Sequence, residues 1–336
     1  MRGARFRRAG RRTNVALLLL IVGAFFSGWL AFAFGTAVPS TLTTVSHGLL
    51  GLGVVALVPW KTVVIRRAAP IWLASLLLAA LIVVCLVAGF IQVFAGHGTV
   101  LGMSPLQVHV GAAVVAVLFL AWHVLRHHPR HPLPGRADLS RRNLLRTGAF
   151  VIAVGASYAA LEGIGFVAKL PSSRRGLTGS HRVDPLARPA TSWLFDRVPA
   201  FDATRAVPVA GVRFRPEELS ARSRAVSARL DCTGGWFADA EWTAVPLNEL
   251  ISPERLTTAT SLVVTSVTGY SRRFPADDSA SLWLATSCEG RPLTAAGGGP
   301  VRLVAPHRRG FWWVKWVASV ELSDQPAFAQ SPFPLQ

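Results

Sequence analysis

LDCTGGWFADAEWTAVPLNEL, residues 230–250, sets a cysteine, Cys232, after a predicted strand and before a glycine pair. Glycine lets backbone approach a bulky group, and a thiolate is a soft ligand suited to a redox metal. Standing alone, such a cysteine is more often a small buried hydrophobe. Around it, short apolar runs such as 206–212, 261–267 and 301–305 alternate with Gly, Pro, Ser and Asp clusters, the pattern of a β-rich globular domain with a few helical turns. That domain is expected over 190–325, with 171–189 as a tether and 326–336 as a loose tail.

Upstream the composition changes. The chain of 336 residues is 51% hydrophobic and 15% charged, too apolar for an ordinary soluble protein. Apolar runs long enough to cross roughly 30 Å of hydrocarbon occur at about 14–35, 42–60, 70–94, 105–125 and 147–168. The expected organisation is a four-helix membrane domain over 1–126, then a linker and fifth transmembrane helix over 127–170. The fifth run, with its glycines, alanines and Glu162, reads as less apolar than the first four.

The net charge of +18 is unevenly placed: residues 1–170 carry 16 Lys/Arg against Asp138 and Glu162, and residues 171–336 carry 19 against 15 acids. In the first half the cations fall almost wholly within Arg2–Arg12, Lys61–Arg67 and Arg126–Arg146, between alternate apolar runs, while the loops near 37–44 and 95–104 have none. This follows the positive-inside rule, predicting a multi-pass cell-membrane protein with a cytoplasmic N-terminus and an extracytoplasmic C-terminal domain. No aromatic-interleaved basic face supports a nucleic-acid partner. Cys85, Cys232 and Cys288 make neither a disulfide framework nor a CxxC pair, and His127, His128 and His131 read as part of a solvated loop.

Cys232 followed by Gly234, Gly235, Trp236, Trp242 and Val245–Pro246–Leu247 resembles the cysteine segment of sulfite-oxidase-type molybdopterin domains. GGGPVRLVAPHRRGFWWVKWVASVEL, 297–322, resembles the pterin-binding end of the same family, with its Gly-x-Pro-hydrophobic-Arg run and Lys-Trp strand. The resemblance covers 190–325 and implies an α+β, β-rich domain and a molybdenum oxidoreductase that transfers oxygen atoms, as sulfite oxidases or sulfoxide reductases do. It implies Cys232 as the thiolate on molybdenum, and Arg302, Trp313 and Lys315 as holding the pterin, with Ser266 a weaker contact. Tyr270, Arg272 and Arg273, in TGYSRRF, are expected to face a polar or anionic substrate, against the alternative of solvated surface arginines. Gly297 departs from the family's usual His or Asn and removes one side-chain contact to the cofactor. That departure motivates the rival reading, a degenerate, non-catalytic binding or scaffold protein.

SRRNLLR, 140–146, resembles the twin-arginine export signal, which carries proteins across the membrane already folded. His47 and His109 stand at matching depth in the second and fourth spans, with Gly48 and Gly111 nearby, and resemble in outline the ligands of a cytochrome b. His123 lies about 21 Å along the same helix face from His109, but no other span offers a second histidine at that depth, so at most one haem b is expected. Electrons would pass to or from the quinone pool or a redox partner protein.

Overall fold

The structure, a computed structural model, describes residues 11–33, 36–65, 72–99, 102–126, 140–189 and 197–331. It divides into two compact units, the first reaching His181 and the second running from Arg182 to the C-terminus. Most of the basic N-terminal stretch and the linker histidines His127, His128 and His131 lie outside the described residues.

The first unit contains α1 (Arg11–Ala33), α2 (Ala37–Ile65), α3 (Trp72–Phe94), α4 (Pro105–Arg126) and α5 (Arg141–Val167). All five are long and apolar enough to cross a membrane, as expected. Helices suit that setting because they satisfy every backbone polar group within one segment. Large apolar side chains such as Leu19, Val83 and Leu118 stand more than half exposed, a cost in water that disappears against lipid. Ser27, Thr41, Thr43 and Ser157 return their hydroxyl protons to carbonyls three or four residues earlier, leaving no polar hydrogen to lipid. At the start of α4, Ser104 and Gln107 cap each other: Gln107 N–H donates to Ser104 Oγ at 3.2 Å and Ser104 N–H to Gln107 Oε1 at 2.7 Å. Over its whole length α5 is the least apolar of the five, as expected, although in its most apolar stretch it equals α2.

Past α5 the chain turns through a short 3₁₀ segment, 171–174, and packs back along the first unit instead of running free as a tether. Arg175 donates to Glu162 Oε1 at 2.6 Å, and His181 Nε2 to the Gln92 carbonyl at 2.5 Å. Burial holds the imidazoles of His181 and His97 below the ordinary histidine value, with Arg175 and His97 adding to the effect at His181.

The second unit is a domain of two sheets around one core. The strands are β1 (His181–Arg182), β2 (Val207–Val209), β3 (Val212–Phe214), β4 (Arg224–Cys232), β5 (Trp236–Pro246), β6 (Ser261–Ser266), β7 (Ser271–Pro275), β8 (Trp283–Cys288), β9 (Arg291–Pro292), β10 (Arg302–Val304) and β11 (Val317–Ser323); two short helices are α6 (Pro216–Arg222) and α7 (Pro253–Thr258). One sheet runs β1-β5-β8-β10, with β4 on β5 and β9 on β8; the other runs β3-β2-β11-β6-β7. Alternation sets the inward faces: Leu262 and Val264 on β6, Leu284 on β8 and Leu303 on β10 are fully buried. The tail expected to be loose is held as far as Ser331, where Gln330 exchanges hydrogen bonds with the Arg273 backbone.

Candidate molybdopterin site

Cys232 is the last residue of β4, and the hairpin to β5 turns immediately after it. Gly235 has φ +87°, a left-handed conformation that glycine adopts without a Cβ clash, and its N–H donates to the Cys232 carbonyl at 3.2 Å. The Gly234 N–H points at Cys232 Sγ, 3.4 Å away. The glycine pair thus folds backbone around the sulfur, which stays half-buried.

Gly310 packs against the same turn from the far end of the domain. A Cβ built there would lie 2.9 Å from Cys232 Cα and 3.0 Å from the Asp231 carbonyl, so only glycine fits without displacement. Beside this contact Asp231 and Arg309 form an ion pair at 2.5 Å, with side chains 15% and 4% exposed. The closing segment, 297–322, and the cysteine segment, 230–250, therefore meet at one place.

Arg302 lies at the start of β10, only 2% exposed. Its Nη1 donates to the Gly297 carbonyl at 2.8 Å, and its guanidinium rests 5.1 Å from the Trp242 ring and 5.8 Å from that of Trp313. Burial first, and the nearby positive charge of Arg188 second, push the guanidinium down to about 9, while the Cys232 and Cys288 sulfurs act to raise it. Trp313, 2% exposed, packs on Trp242 with ring centroids 5.5 Å apart and donates from Nε1 to the Arg308 carbonyl. The Lys315 stem lies beside Gly298, where a Cβ would stand 2.9 Å from Lys315 Cγ; this and the φ of +97° both demand glycine.

The remaining expected residues take other places. Ser266, the last residue of β6, accepts with its hydroxyl from the Thr268 N–H of the following turn at 3.2 Å. Tyr270 donates to the Phe311 carbonyl, next to Gly310, and receives Arg272 Nε at 2.9 Å. Arg272 is 3% exposed, stacks on Phe311 and Trp312, and donates to the Ser331 carbonyl at 2.8 Å. Arg273 points elsewhere, binding Ser261 and Ser323 hydroxyls. Tyr270 and Arg272 thus brace the backbone that carries Gly310, and neither is a solvated surface group.

Two features escaped the sequence reading. The Asp231–Arg309 pair is one; a lone acid beside the cysteine and the basic turn Arg308–Arg309 was the available signal. The other is Arg188, in the stretch read as tether, whose Nη1 donates to Cys288 Sγ at 3.0 Å.

An anionic, phosphate-bearing pterin suits these residues. Arg302 is buried beside a second guanidinium without an ion pair to any described carboxylate, and Arg302 Nε and Thr286 Oγ1 are buried with no hydrogen-bond partner. Buried donors ordinarily find acceptors; an anion with several oxygens would supply them.

Residues 207–331 match the family described as the oxidoreductase molybdopterin binding domain. No curated protein matches the chain. Among solved structures, the sulfane dehydrogenase SoxCD from Paracoccus pantotrophus is similar at 23% identity, covering 38% of this chain and 40% of that one, with a TM-score of 0.34. The expected fold class is the one found: five long apolar helices followed by a sheet-rich domain that matches a molybdopterin-binding oxidoreductase domain of the sulfite-oxidase type.

In the first unit, His47 and His109 come together with ring centroids 5.6 Å apart and planes at 86°. Each Nδ1 lies within hydrogen-bonding distance of a backbone carbonyl on a neighbouring helix, Ala24 at 2.9 Å and Cys85 at 2.7 Å. Gly28 and Gly89 face these rings: a Cβ on either would sit 2.9 Å from its histidine ring. Sequence neighbours on a helix point to different sides, so the close glycines come from facing helices.

Proposed function

We propose that this chain is a membrane-anchored molybdopterin oxidoreductase that transfers an oxygen atom to or from a small substrate. The observation that carries the reading is the convergence at Cys232: a sulfur in a glycine turn, closed by Gly310, in electrostatic reach of a buried arginine that lacks an anionic partner. When bound, the cofactor supplies a redox metal that cycles between oxidation states while an oxygen atom is transferred. Cys232 supplies the thiolate ligand, Arg302 and Lys315 the positive charge that holds the pterin, and Trp242 and Trp313 a dry wall behind Arg302. Tyr270 and Arg272 fix the backbone around Gly310.

His47 and His109 would hold one haem b, which would supply one-electron transfer between the oxidoreductase domain and the quinone pool or a redox partner. A carbonyl at each Nδ1 fixes the tautomer that leaves Nε2 as the ligand atom, the arrangement that metal-binding histidines use. By the distribution of positive charge the N-terminus is cytoplasmic and the molybdopterin domain faces the other side, delivered folded through the SRRNLLR signal.

Elemental analysis with a visible spectrum of the detergent-purified full-length protein, from a host that makes the cofactor, tests both halves. About one molybdenum per chain and a Soret band are expected. Protein without molybdenum would overturn the oxidoreductase reading, and protein without a Soret band would remove the haem.

A further inference from the structure

Arg188 enters the Arg302 site from a distant part of the sequence. Its Nη1 donates to the Pro185 carbonyl at 2.7 Å and to Cys288 Sγ at 3.0 Å, and its guanidinium lies 4.9 Å from the Trp242 ring, the same ring that Arg302 contacts. The two guanidiniums also meet at Gly297. Arg302 donates to the Gly297 carbonyl, and a Cβ on Gly297 would stand 3.2 Å from Arg188 Nη2, so the space a side chain would occupy at 297 is taken by Arg188.

Two like charges converging on one buried ring repel each other and lose hydration, a cost that a fold carries when a third, negative partner joins them. Neither arginine forms an ion pair with a described carboxylate, and Arg302 Nε is buried without a partner. The Cys288 sulfur satisfies one Arg188 nitrogen and leaves the rest of the fork free to act.

We propose that Arg188 is the second guanidinium of this anion site, standing in for the side chain that Gly297 lacks and holding an anionic group of the bound pterin together with Arg302. This rests on the molybdopterin reading above. It converts the departure at Gly297 from a missing contact into a relocated one, donated from another segment of the chain.

The test uses full-length protein purified from a host that makes the cofactor, with molybdenum per chain and released pterin (read by fluorescence after oxidation) measured before and after dialysis. Arg188→Gln should lower retained pterin and molybdenum together by about tenfold or more, the weight of a lost charge-assisted hydrogen bond. Arg188→Lys should fall between, since it keeps the charge and loses the fork. Wild-type retention in a folded Arg188→Gln protein would overturn the proposal. Should that variant not fold, Gly297→Ala carries the test, because it keeps Arg188 and crowds its Nη2; undiminished pterin retention there counts against the proposal. Wild-type protein holding neither molybdenum nor pterin would instead defeat the molybdopterin reading, a result distinct from retention by the variants.

Discussion

Replacing Asp231 by Asn should strike the domain at the joint that fixes its cysteine. The Asp231–Arg309 pair is 2.5 Å long, and its arginine is 4% exposed with Nε buried and lacking a hydrogen-bond partner; Asp231 is the carboxylate that pairs with this guanidinium among the described residues. Removing one member of a buried pair leaves the other charge stranded, which costs about 3–5 kcal/mol. Set against a total of roughly 5–15 kcal/mol for a domain, the variant should be severely weakened. With a urea dependence of about 1–3 kcal/mol per molar, its unfolding midpoint, followed by tryptophan fluorescence of the full-length protein in detergent, should fall by about 1–5 M. Asp231→Asn combined with Arg309→Met should recover much of the loss, because no buried charge is left without a partner. A single variant within about 0.5 kcal/mol of wild type, or a double variant no better than the single, would refute the reasoning that this pair holds the two segments together.

Either His47→Ala or His109→Ala should abolish the Soret band of the wild-type protein while leaving its molybdenum content unchanged; a haem spectrum surviving both changes would exclude these ligands. Trp242, fully buried between Arg302, Arg188 and Trp313, should cost about 3–5 kcal/mol on truncation to Ala, and a change under 1 kcal/mol by chemical denaturation would show that the ring is not a wall of the site. His181 and His97 are held below the ordinary 6.5 by burial, so an undocked 171–181 segment binds more protons than a docked one, and docking weakens as pH falls through about 6.5. Amide exchange in 171–181, corrected for intrinsic rates, should quicken between pH 7 and 5.5; faster exchange on the alkaline side would reverse the sign. Arg141→Lys with Arg142→Lys should strand the C-terminal domain in the cytoplasm, and unchanged protease accessibility from outside the cell would reject the export signal.

The helices were legible because a span needs an unbroken apolar run, a property of consecutive residues. Cys232 and Arg302 were legible because glycines and tryptophans cluster around each in the chain itself. What escaped was non-local. Arg188 sits before a proline in a stretch without periodicity, and nothing in its neighbourhood points to Trp242 or Gly297; only the oddity at Gly297 marked a vacancy that something had to fill. For Arg272 the sequence left open a substrate contact or a solvated surface arginine; Phe311, Trp312 and the tail near Ser331, all distant in the chain, cover its guanidinium and exclude the solvated surface. The setting of His47 is non-local in the same way: its ring is backed by Gly28 of another helix, which no reading along a single helix reveals.

The press of Gly310 on the turn at Cys232 also orders events during synthesis. The cysteine emerges early from the ribosome, yet the surface that shapes its turn is contributed by nearly the last stretch of the domain to be made. A nascent chain arrested anywhere before that stretch would hold the sulfur in an unfinished pocket. On the proposed function, loading with the pterin is then a late step, and a C-terminal truncation that spares every residue of the cysteine hairpin would still erase the proposed site.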